Sequence, residues 1–286
     1  MVEFLIVCYG DNLGYHRGAK LQILQAYKKW FEPRKAKICV VTDKPQLFEN
    51  YPCRTLELTD SKQHDWSLGG IQHFGNKIKS LEWCMSTTKS EKVLLLDTDM
   101  NWKKDPFLLA KQITPSNILM YRSEGLVIGS KNTSIRRFHE GLMGREIEQS
   151  SGNIYRLSET SEMWASNVLG LHKSNLNLIS IVYELFSKIE PLVDAHTVEQ
   201  FSFSEVARMH GLERINSKRY TNSWSSIGKK TYVHTQLNSF FEAHGETNFE
   251  VHLKKWQDIS TRRSVKVFIN QKIHRIQRKM GSTRRE

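Results

Sequence analysis

Two aspartates one residue apart, Asp97 and Asp99, follow directly on the apolar run Val93-Leu94-Leu95-Leu96. Four consecutive apolar residues of this kind form a buried central strand, and in α/β sheets ligands sit at the strand tips. On an extended chain residues i and i+2 point to one face, roughly 6 to 7 Å apart. The spacing therefore predicts that both carboxylates address a single divalent cation, Mn²⁺ or Mg²⁺. Hard octahedral ions take one or two carboxylates and complete their shell with water and substrate phosphate oxygens, so the pair implies a phosphorylated co-substrate. An Asp-x-Asp in isolation is a common solvated loop. Its place at the end of a fully apolar strand, with further strand-like runs before it, gives this one chemical meaning.

The elements that must position the pair can be read upstream. Val2 to Tyr9 is a mostly apolar strand closed by the turn residues Gly10-Asp11-Asn12. A helix is expected from about Gly18 to Phe31, with Leu21, Leu24 and Tyr27 on one face and Pro33 stopping it. Lys37 to Thr42 and Cys53 to Leu58 are further strands, a helix runs from about Lys77 to Met85, and the strand before Asp97 is the fourth. This alternation predicts a doubly wound α/β sheet. Its strand tips, Tyr9-Gly10-Asp11, Thr42-Asp43 and Asp97-Thr98-Asp99, should converge on one crevice. The polar, glycine-containing stretch from Asp60 to Asn76 suits a mobile lid beside that crevice or a plain surface loop.

With the acid pair placed at a strand tip, the chain resembles the nucleotide-sugar-dependent glycosyltransferases of the GT-A fold, and among them the retaining galactosyl- and glucosyltransferase type, over roughly residues 2 to 245. The resemblance implies a Rossmann-like mixed sheet. It implies that Asp97 and Asp99 hold the metal, and that Asp97, Thr98 and a basic residue, Lys77 or its neighbour Lys79, meet the diphosphate. Tyr9, Gly10, Asp11, Thr42 and Asp43 would meet the base and ribose of the donor, with UDP the expected nucleotide. The stretch Glu162 to Leu171 resembles the family's strand along the donor sugar, with Asn167 facing it. Glu199-Gln200 resembles the acid and amide that open a helix facing the sugar. Glu162, Asn167, Glu199 and Gln200 are thus the catalytic candidates. In the β-prone run Tyr232-Val233-His234-Thr235, His234 matches a late metal-ligating histidine, with His244 and His252 as competitors. The implied reaction moves a sugar to a hydroxyl of a saccharide or lipid-linked saccharide, as in surface glycan assembly. Retention and inversion both stay open.

Composition restricts the partners. In 286 residues of ordinary apolar content, one glycosyltransferase domain over 1–245 is expected, a nucleotide-binding half at 1–105 and a sugar and acceptor half at 106–245, with a tail over 246–286. Cys8, Cys39, Cys53 and Cys84 show no metal or disulfide spacing and read as reduced, packed thiols. With no leader pattern and no apolar run of eighteen residues, a cytoplasmic protein is expected. The formal charge of +12 favours a polyanionic neighbour. From Thr261 to Glu286, apolar Val265, Phe268, Ile269, Ile273, Ile276 and Met280 alternate with Arg275, Arg278, Lys279, Arg284 and Arg285. This predicts a basic amphipathic C-terminal helix, lying on an anionic membrane at its inner face or docked on the domain. Hydrolase motifs are missing: there is no Gly-x-Ser-x-Gly, and His139-Glu140 has no second histidine to complete a zinc helix. Two nucleic-acid readings compete, a glycosyltransferase acting on a hydroxylated base in DNA and a non-enzymatic nucleic-acid-binding protein, since the charge and seven tryptophans suit phosphate contact and stacking.

Overall fold

The computed structural model of the protein describes residues 1–262. The predicted basic helix lies outside the described residues except for Thr261 and Arg262. The chain first lays down β1 (Val2–Cys8), α1 (Leu13–Ala26), β2 (Lys37–Thr42), β3 (Arg54–Glu57), α2 (Asp60–Trp66), α3 (Gly75–Thr87) and β4 (Lys92–Leu96). It continues through β5 (Met100–Trp102), α4 (Pro106–Ala110), β6 (Asn117–Leu126), α5 (Thr133–Leu142), the short pair β7 (Ile147–Glu148) and β8 (Ile154–Tyr155), and β9 (Glu162–His172). The described part closes with α6 (Leu176–Ile189), α7 (Val198–Met209), β10 (Glu213–Asn216), β11 (Thr221–Ser223), α8 (Ile227–His244) and α9 (Phe249–Lys255).

Seven strands form one mixed sheet in the order β10-β6-β9-β4-β1-β2-β3, and β9 alone runs against its neighbours. Strand alternation explains its two cores. Leu5 sits between Cys39 and Leu95 in register, and all three face a core completed by Ile78 and Leu81 of α3, Phe138 of α5, Val182 of α6 and Phe201 of α7. Phe4, between Ile38 and Leu94, faces the opposite core with Ala19 and Ile23 of α1, Leu109 of α4 and Leu253 of α9. Helices thus cover both faces, and the expected doubly wound α/β architecture is what the chain adopts. All four cysteines are free thiols, as expected, three of them buried. No helix among the described residues is long and apolar enough to cross a membrane.

Three local expectations are corrected. The first helix begins at Leu13, five residues early, because the Asn12 side chain accepts from Gly14 N at 2.9 Å and caps it; it leaves α geometry after Ala26 through a wide turn over Tyr27–Phe31. The stretch from Asp60 is not a loop throughout: Thr59 caps α2 and Asp60 sits in its first turn. Only the segment between Trp66 and Gly75 is irregular, and it is pinned, since a Cβ at Gly75 would lie 1.9 Å from Trp66 O. Finally, Tyr232-Val233-His234-Thr235 is helical, inside α8. Val233, Leu237, Phe240 and Phe241 fall at helical spacing and bury themselves with Trp224 and Leu21 in a third cluster. That periodicity outweighs the β-propensity of four residues.

Candidate active site

At the tips of β1 and β4 lies a cavity of about 210 Å³ whose lining includes Tyr9, Tyr15, Lys77, Asp97, Asp99 and Lys230. Its floor is the acid pair, but the pair is not extended. Met100 N donates to Asp97 O at 3.1 Å, closing a turn through Thr98 and Asp99, so the same-face geometry expected of an extended Asp-x-Asp does not apply. Both carboxylates reach the cavity, each with its own cation. Thr98 is buried beneath, its carbonyl against Gly18 of α1.

Asp97 continues the alternation of β4 toward α3 and α7. Its Oδ1 meets Lys77 Nζ at 2.8 Å, Asn167 Nδ2 donates to its Oδ2 at 3.3 Å, and its N–H donates to Asn167 O at 2.9 Å. Lys77 is buried at the start of α3, donating to Ser166 O at 2.7 Å and lying 3.5 Å from Glu199 Oε1. Glu199, buried in the first turn of α7, accepts from Ser166 Oγ at 2.8 Å. Burial raises the pKa of Asp97 and of Glu199 and Lys77 opposes this in both, while Asp99 adds to the rise at Asp97 and Asp97 adds to the rise at Glu199. Burial pulls the Lys77 ammonium down, yet the two carboxylates outweigh it and hold it above its ordinary range.

Asp99 is set by a second, small sheet. β5 pairs antiparallel with β11, Ser223 opposite Met100, and Trp224 N donates to Asp99 O at 2.9 Å. This ribbon delivers the first turn of α8 to the crevice, where Lys230 Nζ meets Asp99 Oδ2 at 2.9 Å and lies 5.4 Å from the Tyr15 ring. Burial lowers the Lys230 pKa, but Asp99 raises it further, for a net upward shift. Asp99 Oδ1 is buried and finds no hydrogen-bond partner among the described residues.

The β1 and β2 tips lock together. Gly10 N donates to Asp43 Oδ2 at 2.9 Å, His16 Nε2 lies 2.9 Å from Asp43 Oδ1, and Lys44 Nζ donates to Gly10 O at 2.9 Å. Burial raises the Asp43 pKa, but His16 and the Gly10 N–H bring it below the ordinary value. Thr42 is buried, its hydroxyl accepting from Lys44 N at 3.1 Å, while Asp11 projects into solvent. Tyr9 donates its hydroxyl to His73 O at 2.7 Å, and with Tyr15, His73 and Phe74 it gives the cavity an aromatic wall.

Of the residues singled out in the sequence, Tyr9, Lys77, Asp97, Thr98 and Asp99 line this cavity. Asn167 and Glu199 stand one contact behind it, and Gly10, Thr42 and Asp43 brace its rim. Glu162 and Gln200 are elsewhere. Glu162 accepts from Trp164 Nε1 at 2.6 Å and lies 3.6 Å from Arg214, and Gln200 donates to Glu124 at 3.0 Å. His234 packs against Gly14, its ring 5.8 Å from Tyr15 and 5.7 Å from Trp224. Among the described residues it does not join Asp97 and Asp99 in offering three ligand atoms within 4.8 Å of one another. The group that does, Glu3, Cys39 and Cys84, lies away from the strand tips, and Arg54 already holds Glu3 at 2.6 and 3.1 Å. Tyr15, His73, Phe74 and Lys230 carry no motif; they arrive from segments that only the fold brings together.

The donor set suits Mn²⁺ or Mg²⁺. Two carboxylates address one cavity, and Asp99 Oδ1, outside the Lys230 pairing, is buried with no donor among the described residues and is open to a metal ion. No protein-family model matches the chain, and no curated protein does. Among solved structures it is similar to mouse xyloside xylosyltransferase 1 in its apo form, at 15% identity and TM-score 0.46, over 75% of this chain and 85% of that one. It is also similar to the galactosyltransferase LgtC in complex with donor and acceptor sugar analogs, at 11% and 0.49 over 75% and 73% of the two chains. A third is the apo-form glycosyltransferase GlyE of Streptococcus pneumoniae TIGR4, at 10% and 0.45, where the match spans 84% of this chain and half of that one. Values this low assign no activity to the chain; what the crevice does rests on its own side chains.

Proposed function

We propose that the protein is a metal-dependent glycosyltransferase of the GT-A type, moving a sugar from a nucleoside diphosphate sugar to a hydroxyl of a saccharide or lipid-linked saccharide. The observation that carries this reading is the charge arrangement of the crevice. Its charged lining residues, Asp97, Asp99, Lys77 and Lys230, sum to zero. A divalent ion held by Asp97 and Asp99 would add two positive charges, which the two negative charges of a diphosphate diester offset. A metal bound there supplies Lewis-acid stabilisation of the departing diphosphate.

The remaining work falls to the chain itself. Lys77, tied to Ser166 and Glu199, fixes the Asp97 carboxylate from behind, and Asn167 fixes its other oxygen. Lys230 stands at the cavity wall, where an ammonium stabilises negative charge developing on the leaving oxygen. Tyr9 and Tyr15 offer aromatic faces to the nucleotide base, for which uracil is the proposed case. Glu162 and Gln200 lie outside this cavity and would serve only an acceptor-side extension of it. His234, whose Nε2 is buried and unpartnered among the described residues, would have to move toward Asp97 and Asp99 to act as a third metal ligand.

The test is release of nucleoside diphosphate from a panel of donor sugars with Mn²⁺ or Mg²⁺. Asp97→Asn and Asp99→Asn should each lower turnover by roughly a hundredfold or more, as for removal of one preorganised charge-stabilising group. Turnover unchanged in both variants contradicts the proposal.

A further inference from the structure

On the outward side of α3 a second cavity, of about 530 Å³, opens between α2, α3 and α6, and its lining includes Lys62, Trp66, Glu82, Trp83, Asn177 and Ser180. It shares no lining residue with the crevice. Lys77 turns inward from α3, whereas Glu82 and Trp83 turn outward. The size is that of a small-ligand site, in the range of about 300 to 1,000 Å³.

Its chemistry is aromatic on the inside and polar at the rim. Trp66 and Trp83 meet edge to face, centroids 5.8 Å apart at 77°, so that one indole forms a floor and the other a wall. The wall is held in place. Tyr183 donates its hydroxyl to Asp65 O at 3.1 Å and to Trp66 O at 3.2 Å, and Gly75 packs directly on the Trp66 carbonyl. Lys62 Nζ lies 3.9 Å from the Trp83 centroid, so this ring face is covered by a flexible ammonium that a ligand stacking there displaces. The C–H face of a pyranose is apolar and weakly electropositive and fits the same place. Around it the Asn177 amide faces ring hydroxyls, and the Glu82 carboxylate, paired with Lys79 through one oxygen, keeps the other as an acceptor. The Ser180 hydroxyl, which donates to Asn177 O at 2.8 Å, can accept. A cationic ligand is disfavoured, because Lys62 and Lys79 already line the cavity.

We propose that this cavity is a second saccharide site, which holds a pyranoside unit of the acceptor glycan outside the crevice. The identity of the occupant rests on the sugar-transfer reading; the aromatic and polar lining does not. The test is calorimetric titration of the full chain with gluco-, galacto- and xylo-configured oligosaccharides and, separately, with a nucleoside diphosphate plus Mn²⁺. Wild type, Trp83→Ala, Asn177→Ala and Asp99→Asn are compared, with thermal melting to confirm folding. An oligosaccharide should bind wild type and Asp99→Asn equally and weaken by roughly tenfold in Trp83→Ala and in Asn177→Ala. Nucleotide binding should fall only in Asp99→Asn. Saccharide binding that survives Trp83→Ala and Asn177→Ala, or that disappears in Asp99→Asn, overturns the second site. So does a wild type that binds nucleotide and no saccharide, an outcome that leaves sugar transfer standing. Saccharide binding without nucleotide binding has the opposite meaning: it supports this cavity and removes the transferase reading. Should Trp83→Ala fail to fold, the exposed Asn177→Ala decides alone.

Discussion

Lys77 is the residue on which the crevice is balanced. It is buried between Asp97 and Glu199, and each carboxylate depends on it to stay charged. Lys77→Met should therefore destabilise the protein by about 3 to 5 kcal/mol, the usual consequence of leaving a buried partner charge uncompensated. Urea denaturation measures this, and the double variant Lys77→Met/Glu199→Gln should recover part of the loss. A single variant as stable as wild type would show that the two carboxylates take up protons without strain. The acid pair that Lys77 supports was legible from sequence because its meaning is local: four apolar residues, then two acids. Lys230 was not legible. Nothing in Gly228-Lys229-Lys230 marks one lysine for Asp99, and only the β5–β11 ribbon brings it there.

Between elements, the decisive contact is α1 against the turn after β4. A Cβ at Gly18 would sit 2.5 Å from the Thr98 carbonyl, and the obstacle is backbone, which has no rotamer to yield. Gly18→Ala should push the turn away, destabilise by about 1 to 3 kcal/mol as overpacked sites do, and weaken metal binding at the acid pair. Thermal melting and Mn²⁺ titration check the two effects; a melting temperature and Mn²⁺ affinity equal to wild type would contradict the close approach. Elements with a long, strongly periodic pattern were readable in sequence, β1, β2, β4 and β9 among them. Two shorter readings failed for physical reasons. The β-prone run Tyr232-Val233-His234-Thr235 suggested a strand, but burial at helical spacing along the eighteen residues of α8 outweighs it. The stretch after Asp60 looked like a loop because its glycines stand out, while the Thr59 cap that starts α2 is a single hydroxyl.

For the whole molecule, two cores on opposite faces of one sheet follow from strict alternation along β1 and β4, and that much is written in the sequence. The stability of the whole should depend on histidine. His16, His73, His234 and His252 all have pKa values lowered from the ordinary 6.5, burial being the leading cause in each. At His252 burial outweighs the Gly245 carbonyl, 3.0 Å from Nε2, which by itself raises the pKa, and Nδ1 lies 2.8 Å from the Tyr51 hydroxyl. The unfolded chain takes up protons at these positions before the folded one does, so their contribution is complete above pH 6.5 and is lost as pH falls below it. The melting temperature should drop between about pH 7 and pH 5, and a flat profile would contradict neutral burial. The central claim is that Asp97 and Asp99 join a metal to a nucleoside diphosphate. It is tested most directly by thermal melting of wild type and Asp99→Asn with UDP-sugars, each with and without Mn²⁺. A donor at a hundred times its dissociation constant should add about 2.7 kcal/mol of stability to wild type, and that gain should vanish without Mn²⁺ or in Asp99→Asn. The same gain in the variant, or no gain with any donor, would contradict the account.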